Sequence, residues 1–284
     1  MIDNESCILT TLQVSFWAGY KHDKIASLQT INDNNMEAGA GKFNKKLLPK
    51  DALKAVKHVV TQFKYYFNDN TLIYKALLGT RILPSADFIT FQKAVNKAQD
   101  DLESAVQDLR SCYNGHKQAA QTMLGSLYDD KDYPCIDDLC NKFTITVTYF
   151  PVPEPQRFNS SVSSTQVDKL TKQISDMSFE AKYDLVNRTE KIARTLMDTL
   201  ENDNKRIFYS TVVRNIDKLS QQLEMLNYDN DPLIIELKDV VDTNILNIRM
   251  DYLRDAPSYR GKVKAGAQKV LDIVDEINDA APDR

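Results

Sequence analysis

Glycine is scarce, eight residues in 284. That leaves little material for the positive-φ turns of strand-rich folds or for the close backbone approach of phosphate-cradling loops. Histidine is scarcer still, three residues, and none of His22, His58 and His116 stands beside a serine or cysteine in a nucleophile turn such as G-x-S-x-G. Cys7, Cys112, Cys135 and Cys140 are too few for a disulfide framework in a chain long enough to have its own core, and they suit a reducing compartment. No apolar run approaches the roughly 20 residues that span a bilayer, and Asp3 and Glu5 stand where a secretory leader carries Lys or Arg. The expectation is a cytoplasmic chain with no membrane partner. A net charge of -4, with the two signs interspersed, names neither nucleic acid nor anionic lipid as an obligatory partner.

What the chain has is long helical periodicity. Composition is ordinary for a globular protein, 42% hydrophobic and 27% charged. Two segments read as strands: Thr11 to Trp17, and Phe143 to Phe150, where Phe143, Ile145, Val147 and Tyr149 alternate with threonines. They are expected to pair with each other as a two-stranded β element covered by helices. Helices are expected from Pro49 to Phe67, from Pro84 to about Tyr128, and from Gln166 to Leu200 after a Ser163/Gln166 capping box. Three more follow: Ile207 to Leu226, a helix begun by Asp231-Pro232 and carried to Leu253, and one from about Tyr259. Gly115 and Gly125 are the expected bends of the helix after Pro84. The proline- and serine-rich stretch 151–165 reads as a linker, giving an N-terminal helical domain over 1–157 and a C-terminal helical bundle over 158–284. The fold class is mainly α, long amphipathic helices forming an antiparallel bundle or coiled coil with a small two-stranded β element.

Candidate chemistry is thin. Glu37 to Phe43 resembles a phosphate loop, but it has Met36 where the first glycine belongs and Phe43 where a magnesium-binding hydroxyl belongs. Cys112 with His116, and Cys135 with Cys140, lack the spacing of a zinc knuckle. The acidic run Asp129 to Asp132 and the cluster Asn227 to Asp231 lack the ligand alternation and glycine of a calcium loop, so both read as solvated helix ends. No catalytic, metal or cofactor residues are assigned. One basic patch remains: Lys42, Lys45, Lys46, Lys50, Lys54 and Lys57, followed by Phe63, Tyr65, Tyr66 and Phe67, a combination that contacts single-stranded nucleic acid through phosphates and base stacking. Arg254, Arg260, Lys262, Lys264 and Lys269 form a weaker second set. The long amphipathic runs themselves point to self-association or a protein partner.

Four features occur in order: an opening strand ending at Trp17-Ala18-Gly19, the run Lys45-Lys46-Leu47-Leu48-Pro49, Gly79-Thr80-Arg81-Ile82-Leu83-Pro84 ahead of a very long helix, and a closing strand from Phe143 to Pro153. In these, over roughly residues 8 to 156, the chain resembles a family of uncharacterised bacterial and phage proteins, DUF3150. The resemblance implies a non-enzymatic adaptor or scaffold subunit accompanying a MoxR-type AAA+ ATPase in a bacterial cell or phage-infected host, and it brings no catalytic residues. The alternative is a nucleic-acid-binding module that uses the lysine patch.

Overall fold

The computed structural model describes residues 4–75, 77–154, 163–201 and 209–279. The chain is mainly α. Its helices are α1 (Lys24–Asp33), α2 (Lys54–Asp69), α3 (Phe88–Leu124), α4 (Ile136–Cys140), α5 (Ser164–Glu201), α6 (Tyr209–Met225), α7 (Pro232–Asn244), α8 (Met250–Asp255) and α9 (Pro257–Asp279). Its strands are β1 (Cys7–Ser15), β2 (Tyr20–Asp23), β3 (Phe43–Lys46), β4 (Leu72–Ile73), β5 (Thr80–Pro84) and β6 (Thr144–Phe150). No helix among the described residues is long and apolar enough to cross a membrane.

Apolar spacing decides which helix faces are buried. On α2, Val56, Val60, Phe63 and Phe67 turn inward together, and on α3 the inward set is Phe91, Val95, Ala98, Leu102, Ala105, Val106, Leu109 and Tyr113. Helix α3 has 37 residues, about 55 Å of axis at 1.5 Å per residue. It ends where Gly125 adopts φ +53, a glycine just past the last turn. At α5 the Gln166 side chain receives the Ser163 backbone N–H at 3.2 Å, the glutamine half of the expected capping box. At α7 the Asp231 carboxylate accepts from the Leu233 N–H at 2.9 Å with Pro232 in the first turn, as Asp231-Pro232 predicts.

The two expected strands, Thr11 to Trp17 and Phe143 to Phe150, do not form a ribbon by themselves: the first begins four residues earlier, as β1, and with β6 it belongs to a four-stranded sheet of order β4-β5-β1-β6, while β2 and β3 make a separate antiparallel ribbon. Strand β5 is antiparallel to β1, from Cys7 opposite Pro84 to Thr11 opposite Thr80. Three helix limits differ from the sequence reading. Helix α2 begins at Lys54, five residues past Pro49, because Pro49 to Asp51 are used in turns that bond Ala52 and Lys54 back to Pro49 and Asp51. Helix α3 begins at Phe88, since 80–84 is strand. The helix expected to reach Leu253 breaks after Asn244, where Asn247 takes φ +63 before α8 starts.

Two compact units result, and they do not follow chain order. One comprises 1–11, 67–91 and 148–284; the other comprises 12–66 and 92–147. The expected boundary at 157/158 lies outside the described residues. In the first unit, Cys7, Leu9, Leu72, Ile82 and Val152 join one core with Leu185, Leu196, Leu219, Leu237, Val241, Val270 and Val274. Helix α5 packs against α6 and α9, and α7 against α6 and α9. Gly266 of α9 permits the second crossing: a Cβ there would lie 2.5 Å from the Asn244 carbonyl oxygen at the end of α7.

Candidate functional site

The lysine patch belongs to the second unit, and the structure divides it. Lys45, on β3, is only 6% exposed, and its Nζ meets Asp132 Oδ2 at 2.5 Å, the Leu127 carbonyl at 2.8 Å and Asp23 Oδ2 at 3.2 Å. Lys21 of β2 also pairs with Asp132. Burial alone would depress the Lys45 ammonium, but bonds from Asp132 and Asp23 outweigh it and hold its pKa above the ordinary lysine value. Burial likewise pushes Asp132 up, and the ammonium groups of Lys21 and Lys45 bring it below the ordinary carboxylate value. Asp23 is held low first by the Ala26 N–H, which it caps at 3.0 Å, and then by Lys45. Lys45 is therefore an internal strut and not a phosphate contact. Asp132, read from sequence as part of a solvated helix end, is its buried anchor.

The rest of the patch stays outside. Lys42, Lys50, Lys54 and Lys57 are exposed and Lys46 is half-buried. None of the five makes an ion pair with the described residues. On α2, Lys54, Lys57, His58, Lys64 and Tyr65 are exposed, with Lys54, His58 and Tyr65 on the face opposite Val56, Val60 and Phe63 and Lys57 and Lys64 on its flank. Of the four aromatic residues, Phe63 and Phe67 are core and Tyr66 is half-buried, which leaves Tyr65 as the exposed ring. In the weaker basic set, Lys264 pairs with Glu201 at 2.6 Å and Arg260 donates to the Leu253 carbonyl at 3.4 Å.

Other polar clusters are occupied by the fold itself. At the end of α2, Arg188 Nη2 reaches the Thr71 and Asn68 carbonyls at 2.8 and 3.1 Å and Asp184 Oδ2 at 2.7 Å. Arg81 donates to Thr71 Oγ1 and to its carbonyl at 2.6 and 2.8 Å. Burial first, partly offset by Asp184, and then the neighbouring Arg188 charge lower Arg81 to about 10. These guanidinium groups finish a helix C-terminus, where cations are favoured. Lys182 sits between Asp229 and Asp231, and beside it Ser178 Oγ meets the Tyr228 hydroxyl at 2.8 Å.

The cysteines read in the same way. Cys135 Sγ accepts from the Asp138 N–H at 3.5 Å and Cys140 Sγ donates to the Ile136 carbonyl at 3.5 Å, both local to α4. Among the described residues, no three His, Cys, Asp or Glu side chains form a metal-holding group.

Two further features of the second unit are an exposed helix face and a groove. Helix α1 buries Ala26, Ser27 and Ile31, while Ile25 and Leu28, three residues apart on one face, are 70% and 58% exposed. Ser27 is inside because its hydroxyl donates to the Asp23 carbonyl at 2.5 Å, accepts from the Phe43 N–H at 2.9 Å and meets His22 Nε2 at 3.1 Å. The other surface is a groove of about 400 Å3 between α3 and β6. Leu102, Val106, Phe143 and Ile145 supply its apolar wall, and Gln99, Glu103 and Gln107, four residues apart along α3, supply its polar rim. Gln99 Nε2 donates to the Ile145 carbonyl at 2.9 Å. Sequence reading missed the groove because it depends on β6 being the last strand of the sheet, a fact of topology. No family model, curated protein or solved structure matches the chain.

Proposed function

We propose that the chain is a non-enzymatic interaction and assembly protein. The observation that carries this reading is helix α1, which places Ile25 and Leu28 in water beside a buried side made of Ala26, Ser27 and Ile31. Two large apolar side chains exposed together on one helix face offer a partner a contact. The narrower reading, an adaptor or scaffold working with a MoxR-type AAA+ ATPase, rests on the family resemblance over residues 8 to 156 alone.

Solution mass by light scattering, together with affinity capture from the native host, tests the proposal. The expected result is a mass above the 32.4 kDa of one chain or a stoichiometric partner, either one lost in the double variant Ile25→Asp, Leu28→Asp. A 32.4 kDa species at every concentration, with no stoichiometric partner captured, overturns it.

A second reading, binding of single-stranded nucleic acid, is favoured by the unpaired lysines on α2 and their neighbour Tyr65. Reversing Lys54, Lys57 and Lys64 to glutamate is then expected to weaken oligonucleotide binding by about 10-fold or more and to flatten its dependence on salt, by about 0.7 in log-log slope per lost phosphate contact. Binding that keeps its salt slope in that variant removes the reading.

A further inference from the structure

Each compact unit carries one exposed helix face on which apolar side chains stand among unpaired charges, and the two faces have opposite sign. In the second unit the face is that of α1. Lys24 neighbours both Ile25 and Leu28, and Lys42 precedes Phe43, an exposed ring whose backbone N–H is held by Ser27 of the same helix at 2.9 Å. Both lysines are exposed and make no ion pair with the described residues. The one carboxylate of α1 is Asp33, at the opposite end from Lys24. In the first unit the face is that of α7. Ile234, Leu237 and Val241 turn into the core, which leaves Pro232, Ile235, Glu236, Asp239 and Thr243 pointing outward at three-and-four spacing. Ile235 is 46% exposed. Glu236 and Asp239 are exposed and make no ion pair with the described residues, whereas Asp242 on the flank pairs with Lys238.

We propose that these two faces bind each other between copies, α7 of one copy against α1 of the next. The inference rests on the interaction reading and names its partner, a second copy of this chain. Charge decides the pairing. Two-fold packing of α1 on α1 sets Lys24 and Lys42 against their own copies, and α7 on α7 does the same to Glu236 and Asp239; like charges brought together disfavour both. Unlike faces set carboxylates against ammonium groups and cover Ile25 and Leu28 with Ile235. The helices also match in length, 10 and 13 residues, about 15 and 20 Å of axis. A contact between two such short faces falls below the roughly 1,600 Å2 of a standard interface, so the association is weak, concentration-dependent and reduced by salt. Because the contact joins unlike faces, each added copy leaves one of each kind free, and growth continues past a dimer unless a ring closes.

The test is the solution mass of the full chain against concentration, by sedimentation equilibrium at low and high salt. The expected result is a mass that rises from 32.4 kDa with concentration and falls back when salt is added. Lys24→Glu with Lys42→Glu, and separately Glu236→Lys with Asp239→Lys, should each raise the concentration needed for association at least about 10-fold. Mixing the two variants, or placing all four changes in one chain, makes the faces complementary again and should restore association. That rescue separates lost charge complementarity from a damaged fold. Three results overturn the proposal: a parent chain that stays at 32.4 kDa at every concentration, association that either reversal leaves unchanged, or a loss that neither mixing nor combination restores. The interaction reading fails separately. A monomer that captures a stoichiometric partner through Ile25 and Leu28, or an oligomer indifferent to the α7 reversal, removes the α1–α7 contact and leaves that reading standing.

Discussion

Replacing Lys45 by methionine is expected to destabilise the protein by about 3–5 kcal/mol at neutral pH, the usual cost of removing one partner from a buried ion pair. Methionine fills the volume of the lysine stem, so the loss isolates charge from packing. It leaves Asp132, whose side chain is 3% exposed, with the half-exposed Lys21 as its remaining ion-pair partner, and takes the ammonium from Asp23. Lys50→Met and Lys54→Met, a few residues away and exposed, should each stay within about 0.5 kcal/mol of the parent. Urea unfolding compares the three, and a Lys45→Met variant as stable as Lys54→Met refutes the strut.

The same cluster fixes a pH dependence. Asp23 and Asp132 have folded pKa values below their ordinary ones, so their stabilisation is full above about pH 4 and is lost as pH falls through the folded values. Lys45 is raised, so its share is full below about pH 10 and is lost as pH rises through its higher folded value. In acid the carboxylates that lose Lys45 in Lys45→Met take up protons more readily than in the parent. The gap between variant and parent should therefore narrow markedly by about pH 3.

Gly266→Ala is the second large effect. The added methyl would sit 2.5 Å from a backbone oxygen, that of Asn244, which is part of a helix end and not a flexible side-chain tip. One of the two helices must shift, and overpacking of this kind costs about 1–3 kcal/mol, sometimes more. In most helix interiors the change from glycine to alanine stabilises by up to about 1 kcal/mol, so the sign itself is diagnostic. Gly115, in α3 with open space around its Cβ position, supplies the control: Gly115→Ala should raise the melting temperature while Gly266→Ala lowers it. Thermal unfolding by circular dichroism decides between them, and two shifts of the same sign would show that the α7–α9 crossing is looser than described.

Local pattern reveals the helices, since burial of Val56, Val60 and Phe63, or of Ile174, Ala181 and Leu185, needs only a periodic face and a core somewhere nearby. It does not separate Lys45 from Lys46. The two are adjacent and chemically identical, and what buries one is the meeting of Asp23 and Asp132 from distant parts of the chain. Strand β5 is hidden for a related reason: Thr80 to Pro84 is short, ends in proline, and is extended because β1 and β4 flank it on both sides. The break after Asn244 is equally tertiary, as the apolar positions continue in helical spacing through Ile245, Ile248 and Leu253. Of the candidate site, the lysines and the threonine-rich strand were visible as residues. That β6 ends the sheet among the described residues depends on contacts between segments far apart in sequence, whereas Ser27 is held on the inside of α1 by the nearby His22, Asp23 and Phe43.

The pairing of β1 with β5, and the shared core of Cys7 and Leu9 with Val270 and Val274, also set an order of events during synthesis. A ribosome delivers Leu9 first and Val274 more than two hundred and fifty residues later, at roughly 5–20 residues per second. The unit formed by 12–66 and 92–147 has all of its chain well before then. Strand β1 can pair with β5 early, but the core it belongs to closes only when α9 has been made, so the first unit stays open to misassembly and to chaperones after the second has all of its chain.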